Sequence, residues 1–380
     1  MTTVRPDDPQ RTSTGSLRDA LRLTRPRQWP ILSAQLLVGV LLAPSLAALV
    51  RSALGASGAG ATAAAAAGGN GSGAAGAIGL ANASLTAGSL AAVAGGWFAW
   101  VVLLNGSTLA FNSAYDRDTG PVAYLARPPL PPRWVAGASA AAMAFAPVVG
   151  WLLVGPAFGV LTALCVLLSM AYSHPRFRWK SVPGLDLLVN VVGYGAGTTM
   201  AGVLIGLAAA AAAAPAGPGV AATAADIPGA VGNPGPDAPA ALAGGPGPAV
   251  LVVGFGLLFG SLYPLTQLYQ RVDDLRRGDR TLATALGPDR SLKLAIALGA
   301  SAAATMLAGA ALWRHGLGLP PLAPALLPLA AALVAWLGHL VHWWRDRRRR
   351  GVDRERRGMY VALGIWGGID GALIVALLAA

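Results

Sequence analysis

The sequence predicts an all-α polytopic membrane protein with about nine transmembrane helices. Three observations predict it. Of the 380 residues, 55% are hydrophobic and only 12% charged, about half the ~25% charged share of a soluble domain. Apolar runs recur at close to the ~20 residues that a helix needs to cross the hydrocarbon core. Nearly all Lys and Arg fall in alternate gaps between those runs.

Taken in order, residues 1–29 read as a polar, cytoplasmic N-terminal tail without an obvious signal-peptide cleavage site. Spans follow at about 30–50, 89–110, 134–153, 155–173, 184–209, 248–269, 291–312, 322–343 and 359–379, in one transmembrane domain covering 30–380. The stretch 134–173 has little polar punctuation, and Gly155-Pro156 divides it. Two low-complexity insertions lie on the non-cytoplasmic side, Ala/Gly/Ser-rich at about 54–88 and Ala/Pro/Gly-rich at about 210–247. Neither carries the side chains to make a core, although Ala63 to Ala67 is a candidate short helical piece.

With this count, every one of the 28 Lys and Arg except Arg51 and Arg314 lies on the side of the N-terminus. A wrong count would scramble that partition. The positive-inside rule therefore supports the count and makes that side cytoplasmic. The net charge of +12 reads as topology and calls for no nucleic acid. Residence in the cell (inner or plasma) membrane follows. The single cysteine, Cys165, excludes an internal disulfide and a Cys-based metal site. His174, His315, His339 and His342 are scattered and form no ligand cluster.

Two cytoplasmic gaps carry carboxylates. Asn112 and Asp116 close the second span, and four-residue spacing puts both on one helix face. Asp118 follows, and Gly120-Pro121 ends any helix. At the end of the sixth span Gln270 precedes Asp274 by the same spacing, with Asp273 beside it and Asp279 beyond Gly278. An amide oxygen paired with a carboxylate suits a hard divalent cation such as Mg2+. One such cluster reads as a solvated loop; the repetition at two span ends on one face suggests a site for a metal-bound diphosphate.

Arg117, Arg271, Arg276, Arg277 and Arg280 are close in sequence to these acids and can form forked bonds to phosphate, or simply hold the loops inside. A third loop, Tyr172 to Lys180, places Lys180 among aromatics and beside Arg178. That lysine either reaches a phosphate or belongs to an interfacial aromatic belt. Asp186 and Asn190 open the fifth span, lining a cavity entrance and orienting Lys180, or serving the helix dipole. Asp370 lies deeper in the last span, and its role stays open.

The pattern resembles the UbiA-type intramembrane prenyltransferase family over most of the chain from Arg25 onward, the two insertions excepted. The family's first motif runs N-D-x-x-D-x-x-x-D. Asn112 and Asp116 match it, while Ser113 and Gly120 stand at its other acids. Its second motif runs D-x-x-x-D-x-x-x-G-x-x-T-L. Asp274, Gly278, Thr281 and Leu282 match, with Gln270 at the first Asp. Tyr172-Ser173-His174-Pro175 with Lys180 is similar to a Tyr-Ser-x-Pro…Lys stretch of some members, and Arg25-Pro26-Arg27-Gln28-Trp29 to the approach to their first helix.

The resemblance implies helices bundled around a central cavity and Mg2+-dependent transfer of a prenyl group from its diphosphate to an aromatic or lipid-like acceptor. It implies Asp116, Asp274 and Lys180 as catalytic residues. Asn112, Asp116, Asp118, Gln270, Asp273 and Asp274 would hold metal. Asn112, Arg117, Tyr172, Arg178, Lys180, Asp186, Asn190, Gln270, Arg277 and Arg280 would contact substrate at the cytoplasmic side. The partners expected are a prenyl diphosphate, a hydrophobic acceptor and the bilayer; no protein partner is inferable. The competing readings are a membrane carrier and a non-catalytic homologue that binds an anionic lipid headgroup.

Overall fold

The structure is a computed structural model that describes residues 15–53, 86–116, 120–213, 245–349 and 351–379. Most of both insertions, including Ala63 to Ala67, lies outside these residues. So do Arg117 and Asp118, and the side chain of Arg277.

The fold is helical throughout. Among the described residues the β-type pairing is one isolated bridge between Val122 and Leu125. A short amphipathic helix α1 (Leu17–Leu23) starts on a Ser16 cap that accepts from the Asp19 amide. The first expected span is two helices, α2 (Trp29–Leu41) and α3 (Pro44–Ala53). Pro44 lacks an amide hydrogen and crowds the preceding turn, so the chain breaks there.

Eight helices are each long and apolar enough to cross a membrane. They are α4 (Ala87–Asp116), α5 (Val135–Leu153), α6 (Pro156–Ser173), α7 (Leu185–Ala213), α8 (Gly247–Leu268), α10 (Leu282–Gly316), α11 (Pro324–Arg349) and α12 (Val352–Leu378). A short helix α9 (Arg271–Arg277) sits between α8 and α10. The division at 155 is physical: Gly155 has φ 136°, open to glycine, and Pro156 occupies the first turn of α6.

Two of the long helices change pitch. α4 is π-helical over Phe98–Gly106 and α7 over Val191–Gly197. In α4 the Asn105 side chain bonds the Trp100 carbonyl at 2.7 Å. Beside α7, Gln35 of α2 donates to the Gly195 carbonyl at 2.7 Å and to the Thr199 hydroxyl at 3.1 Å. Side chains thus take up carbonyls that a π stretch leaves poorly paired.

Two cores hold the bundle. One joins α8, α10, α11 and α12 around Trp313, Trp336, Trp343 and Trp366. The other joins α2, α4, α5, α6 and α7 around Trp100 and Phe158. Lipid is as apolar as these side chains, so close packing rather than water exclusion drives helix association. The α2–α7 seam illustrates it. A Cβ at Gly39 would run into the Thr199 carbonyl, and one at Gly202 into the Leu36 carbonyl. The two exceptional arginines cap chain ends: Arg51 donates to the Leu377 carbonyl and Arg314 to that of Pro320.

Candidate functional site

α4, α6 and α8 end, and α7 and α10 begin, around one cavity of roughly 230 Å³. Along α4 the lining residues Trp100, Leu104, Thr108, Asn112 and Asp116 recur at four-residue steps, the stripe that one helix face presents. Asn112, Asp116, Tyr172, Lys180, Asn190, Gln270 and Asp274 all line this cavity. The two acid-bearing tips therefore meet at one end of the bundle.

Each tip is held differently. Asp116 is the last residue of α4 and forms a salt bridge to Lys180, both side chains largely buried. Asn112 Oδ1 accepts from the Ser173 hydroxyl at 3.0 Å. Lys180 sits in a single 3-10 turn, Trp179–Ser181, entered through a left-handed Arg178 (φ 45°). Asp274 is carried by α9, beyond a break at Tyr269 and Gln270. Gly278 (φ 75°) ends α9, and the Asp279 amide returns to the Asp274 carbonyl at 2.9 Å. Only glycine takes that backbone without strain.

A second layer anchors this tip. Asp279, buried and lining the cavity, accepts from Arg178 and, at 2.8 Å, from the Ser181 hydroxyl. Asp186 is fully buried. Its Oδ1 accepts from the amides of Gly184 and Leu187, which fixes the start of α7. Its Oδ2 accepts from Gln267 Nε2 and from the Leu282 amide, each at 2.8 Å. Gln267 Oε1 accepts in turn from the Ala283 amide. One carboxylate and one amide thus join α7, α8 and the first turn of α10. The same Gln267 donates to Tyr263, whose hydroxyl meets that of Tyr172 at 2.9 Å.

The loop after the first tip crosses to the second. Val122 and Ala123 line the cavity. The Tyr124 amide donates to the Tyr360 hydroxyl of α12 at 2.9 Å. Gly120 leaves space that the Asp273 carboxylate occupies, 2.8 Å from where a Cβ would stand. Burial, with Tyr360 alongside, pushes the Tyr124 phenol well above its ordinary pKa, so it stays protonated.

Four residues expected at the site are not among those lining the cavity. Asp186 serves the second layer. Arg178 is half-exposed and pairs with Asp279. Asp273, 45% exposed at its side chain, pairs with Arg276 at 3.1 Å. Arg280 is exposed. Arg117 and Asp118 fall outside the described residues.

Other residues that the motif spacing did not single out do line it: Arg25, Tyr194, Tyr263, Gln267 and Thr281. Arg25 is 8% exposed and its Nε has no hydrogen-bond partner. Gln267 carried a signal in the sequence, as an isolated amide inside an apolar run. Asp370 is fully buried on α12 with neither oxygen bonded, away from the cavity lining.

Hard oxygens from Asn112, Asp116, Gln270 and Asp274 gather at the mouth, beside the cationic Lys180 and Arg25. Among the described residues no three His, Cys, Asp or Glu side chains cluster as a metal site on their own. One or two carboxylates, completed by phosphate oxygens, is how Mg2+ is commonly held next to a phosphorylated substrate.

No curated protein sequence matches the chain. Among solved structures, a UbiA homologue from Archaeoglobus fulgidus bound to GPP and Mg2+ superposes with a TM-score of 0.54 at 16% identity, covering 95% of this chain and 100% of that one. The same homologue bound to DMAPP and Mg2+ gives the same score and identity. A structure of digeranylgeranylglyceryl phosphate synthase gives 0.52 at 12% identity, covering 96% and 99%. At these identities the likeness is one of fold. The UbiA prenyltransferase family model matches residues 72–363, most of the chain, and the protein belongs to that family.

Proposed function

We propose that the protein transfers a prenyl group from a prenyl diphosphate to a hydrophobic acceptor within the membrane, at the cytoplasmic side of the cell membrane with its N-terminus cytoplasmic. The observation that carries this is the convergence of Asn112, Asp116, Gln270 and Asp274 with Lys180 at the mouth of one cavity whose depth is apolar. Mg2+ bound by those oxygens and by the diphosphate would neutralise charge on the leaving group.

The chain's own residues do the rest. Asp116 and Asp274 face each other's loops across the mouth and fix the diphosphate between two tips. Lys180, paired with Asp116 here, is placed to turn its ammonium to a phosphate oxygen, and buried Arg25 offers its guanidinium from the other side. The allylic carbon–oxygen bond breaks, with its electron pair leaving on pyrophosphate. The acceptor bonds to the freed carbon, and its displaced proton passes to the pyrophosphate. Leu104, Leu168, Val189 and Phe259 keep water from the electron-poor carbon.

The test uses purified protein in lipid bilayers, supplied with Mg2+, prenyl diphosphates and a panel of acceptors, with pyrophosphate release and prenylated product measured. Release that depends on substrate and disappears in Asp116→Ala and Asp274→Ala supports the reading. Normal turnover in both folded variants overturns it. Tight binding of Mg2+ and prenyl diphosphate without release under any acceptor would mark a non-catalytic homologue instead.

A further inference from the structure

The cavity has a floor. Four helices line it, and the last lining residue of each, counted away from the acid-bearing tips, is Trp100 on α4, Cys165 on α6, Tyr194 on α7 and Phe259 on α8. Asn112 and Trp100 are twelve residues apart along α4, and Ser173 and Cys165 eight apart along α6. At about 1.5 Å of rise per residue, the floor lies about 12–18 Å below the tips. An extended chain advances about 1.2 Å per bond, so an isoprene unit of four chain bonds needs about 5 Å. The depth matches two to three units.

Trp100 is the residue that closes this depth. It is 1% exposed. Its indole donates to the Thr198 hydroxyl at 3.2 Å and stands edge-on to Phe158 at 6.0 Å between centroids. Gly197 lies against the ring on α7, where a Cβ would stand 3.5 Å away. Turning the ring aside would break the hydrogen bond and the aromatic contact together, in a site packed on every side. The Asn105 bond to the Trp100 carbonyl fixes the backbone beneath it.

We infer that Trp100 limits the donor to short prenyl chains, up to about three isoprene units, by forming the end wall of the tail cavity. This rests on the donor reading given above. A longer tail has to bend or displace the ring, and either loses packing that shorter tails keep.

Binding, rather than turnover, tests it. Diphosphates bearing two, three, four and six isoprene units are titrated with Mg2+ against the full-length protein in bilayers, and again with Trp100→Leu and the milder Trp100→Phe. In the unmodified protein affinity should be best at two or three units and at least tenfold weaker at six. Trp100→Leu should regain most of that loss while leaving the short donors within about threefold. The unmodified series decides whether a floor exists even if the leucine variant proves unstable.

Equal affinity at all lengths means the tail leaves between helices, and the inference falls. It also falls if a folded Trp100→Leu keeps the original length profile. Failure to bind a prenyl diphosphate of any length overturns the donor reading, and the floor's role with it.

Discussion

The two acid-bearing tips share a sequence pattern and differ in construction. At the first, Asn112 and Asp116 ride on the unbroken end of α4, so the helix itself sets their spacing and direction. At the second, the chain leaves α8 after Leu268, turns through Tyr269 and Gln270, and presents Asp274 from the separate helix α9. Seven residues of helix cannot hold a position alone. Asp186, Gln267 and Asp279 supply the rigidity by tying the surrounding segments together. Equal spacing in sequence therefore conceals one tip positioned by local structure and one positioned by distant partners.

The largest effects fall where the tips are alike. Asp116→Ala and Asp274→Ala should each lower the transfer rate by about 100- to 1000-fold, the usual cost of removing one preorganised charge-stabilising group. Single-turnover assays at saturating donor would measure it. A loss at only one of the two would mean that one tip suffices, and would break the symmetry of the site.

Next come substitutions in the supporting layer, where the tips should diverge. Asp186→Asn places an amide NH2 where Gln267 Nε2 and the Leu282 amide both donate. Each buried group left facing a donor costs about 1–3 kcal/mol, so a fall in Tm is expected, together with weakened Mg2+–donor binding. The counterpart at the first tip is Ser173→Ala, which removes the bond to Asn112 Oδ1. That change should cost about 1 kcal/mol and leave binding within a few-fold. Equal damage from the two variants would refute the contrast.

Arg178→Ala probes the outer edge of the same layer. The guanidinium is 47% exposed, and Asp279 keeps the Ser181 hydroxyl as a second donor. The pair should contribute no more than about 1 kcal/mol. Activity should drop less than tenfold, through KM rather than kcat. A large fall in kcat would place Arg178 at the diphosphate instead.

Much of this arrangement was legible in the sequence, and the reasons it stopped are physical. Span number and order follow from charges that cannot sit in hydrocarbon, and Gly155-Pro156 marks its own break. Pro44 broke the first span for the same reason that Pro156 starts α6, yet a window of apolar residues hides it. The π-helical turns were not readable, since Asn105 and Gln35 act on carbonyls that only tertiary packing brings near. The Gly202-x-x-x-Gly206 spacing, which lets α2 and α7 touch, was present as a signal.

At the site, Asn112, Asp116, Lys180, Gln270 and Asp274 stood out because polar side chains at span ends are few. The orientations of Asp273, Arg280 and Arg178 did not, because the break at Tyr269 and Gln270 resets the helical phase for everything that follows. Asp186 illustrates the other limit. Its position at a helix start suggested either a dipole partner or a cavity wall. Its actual partners, Gln267 and Leu282, come from 81 and 96 residues away.

The smallest expected effect separates two adjacent carboxylates. Asp273 and Asp274 are neighbours in the chain, and a helix turns about 100° between neighbours. Asp274 is 5% exposed and lines the cavity. Asp273 is turned outward to Arg276, an exposed pair three residues apart, worth about 0.2–0.5 kcal/mol. Its nearest approach to the first tip's loop is at Gly120, where it fills empty space. Asp273→Ala should therefore leave Tm almost unchanged, Mg2+-dependent donor binding within about threefold and transfer within about twofold. Side-by-side titrations with Asp274→Ala give the comparison its finest edge. If the alanine at 273 proved as damaging as the one at 274, the second tip would grip its ligand with both carboxylates, and α9 would have to rotate on binding to bring the outer one in.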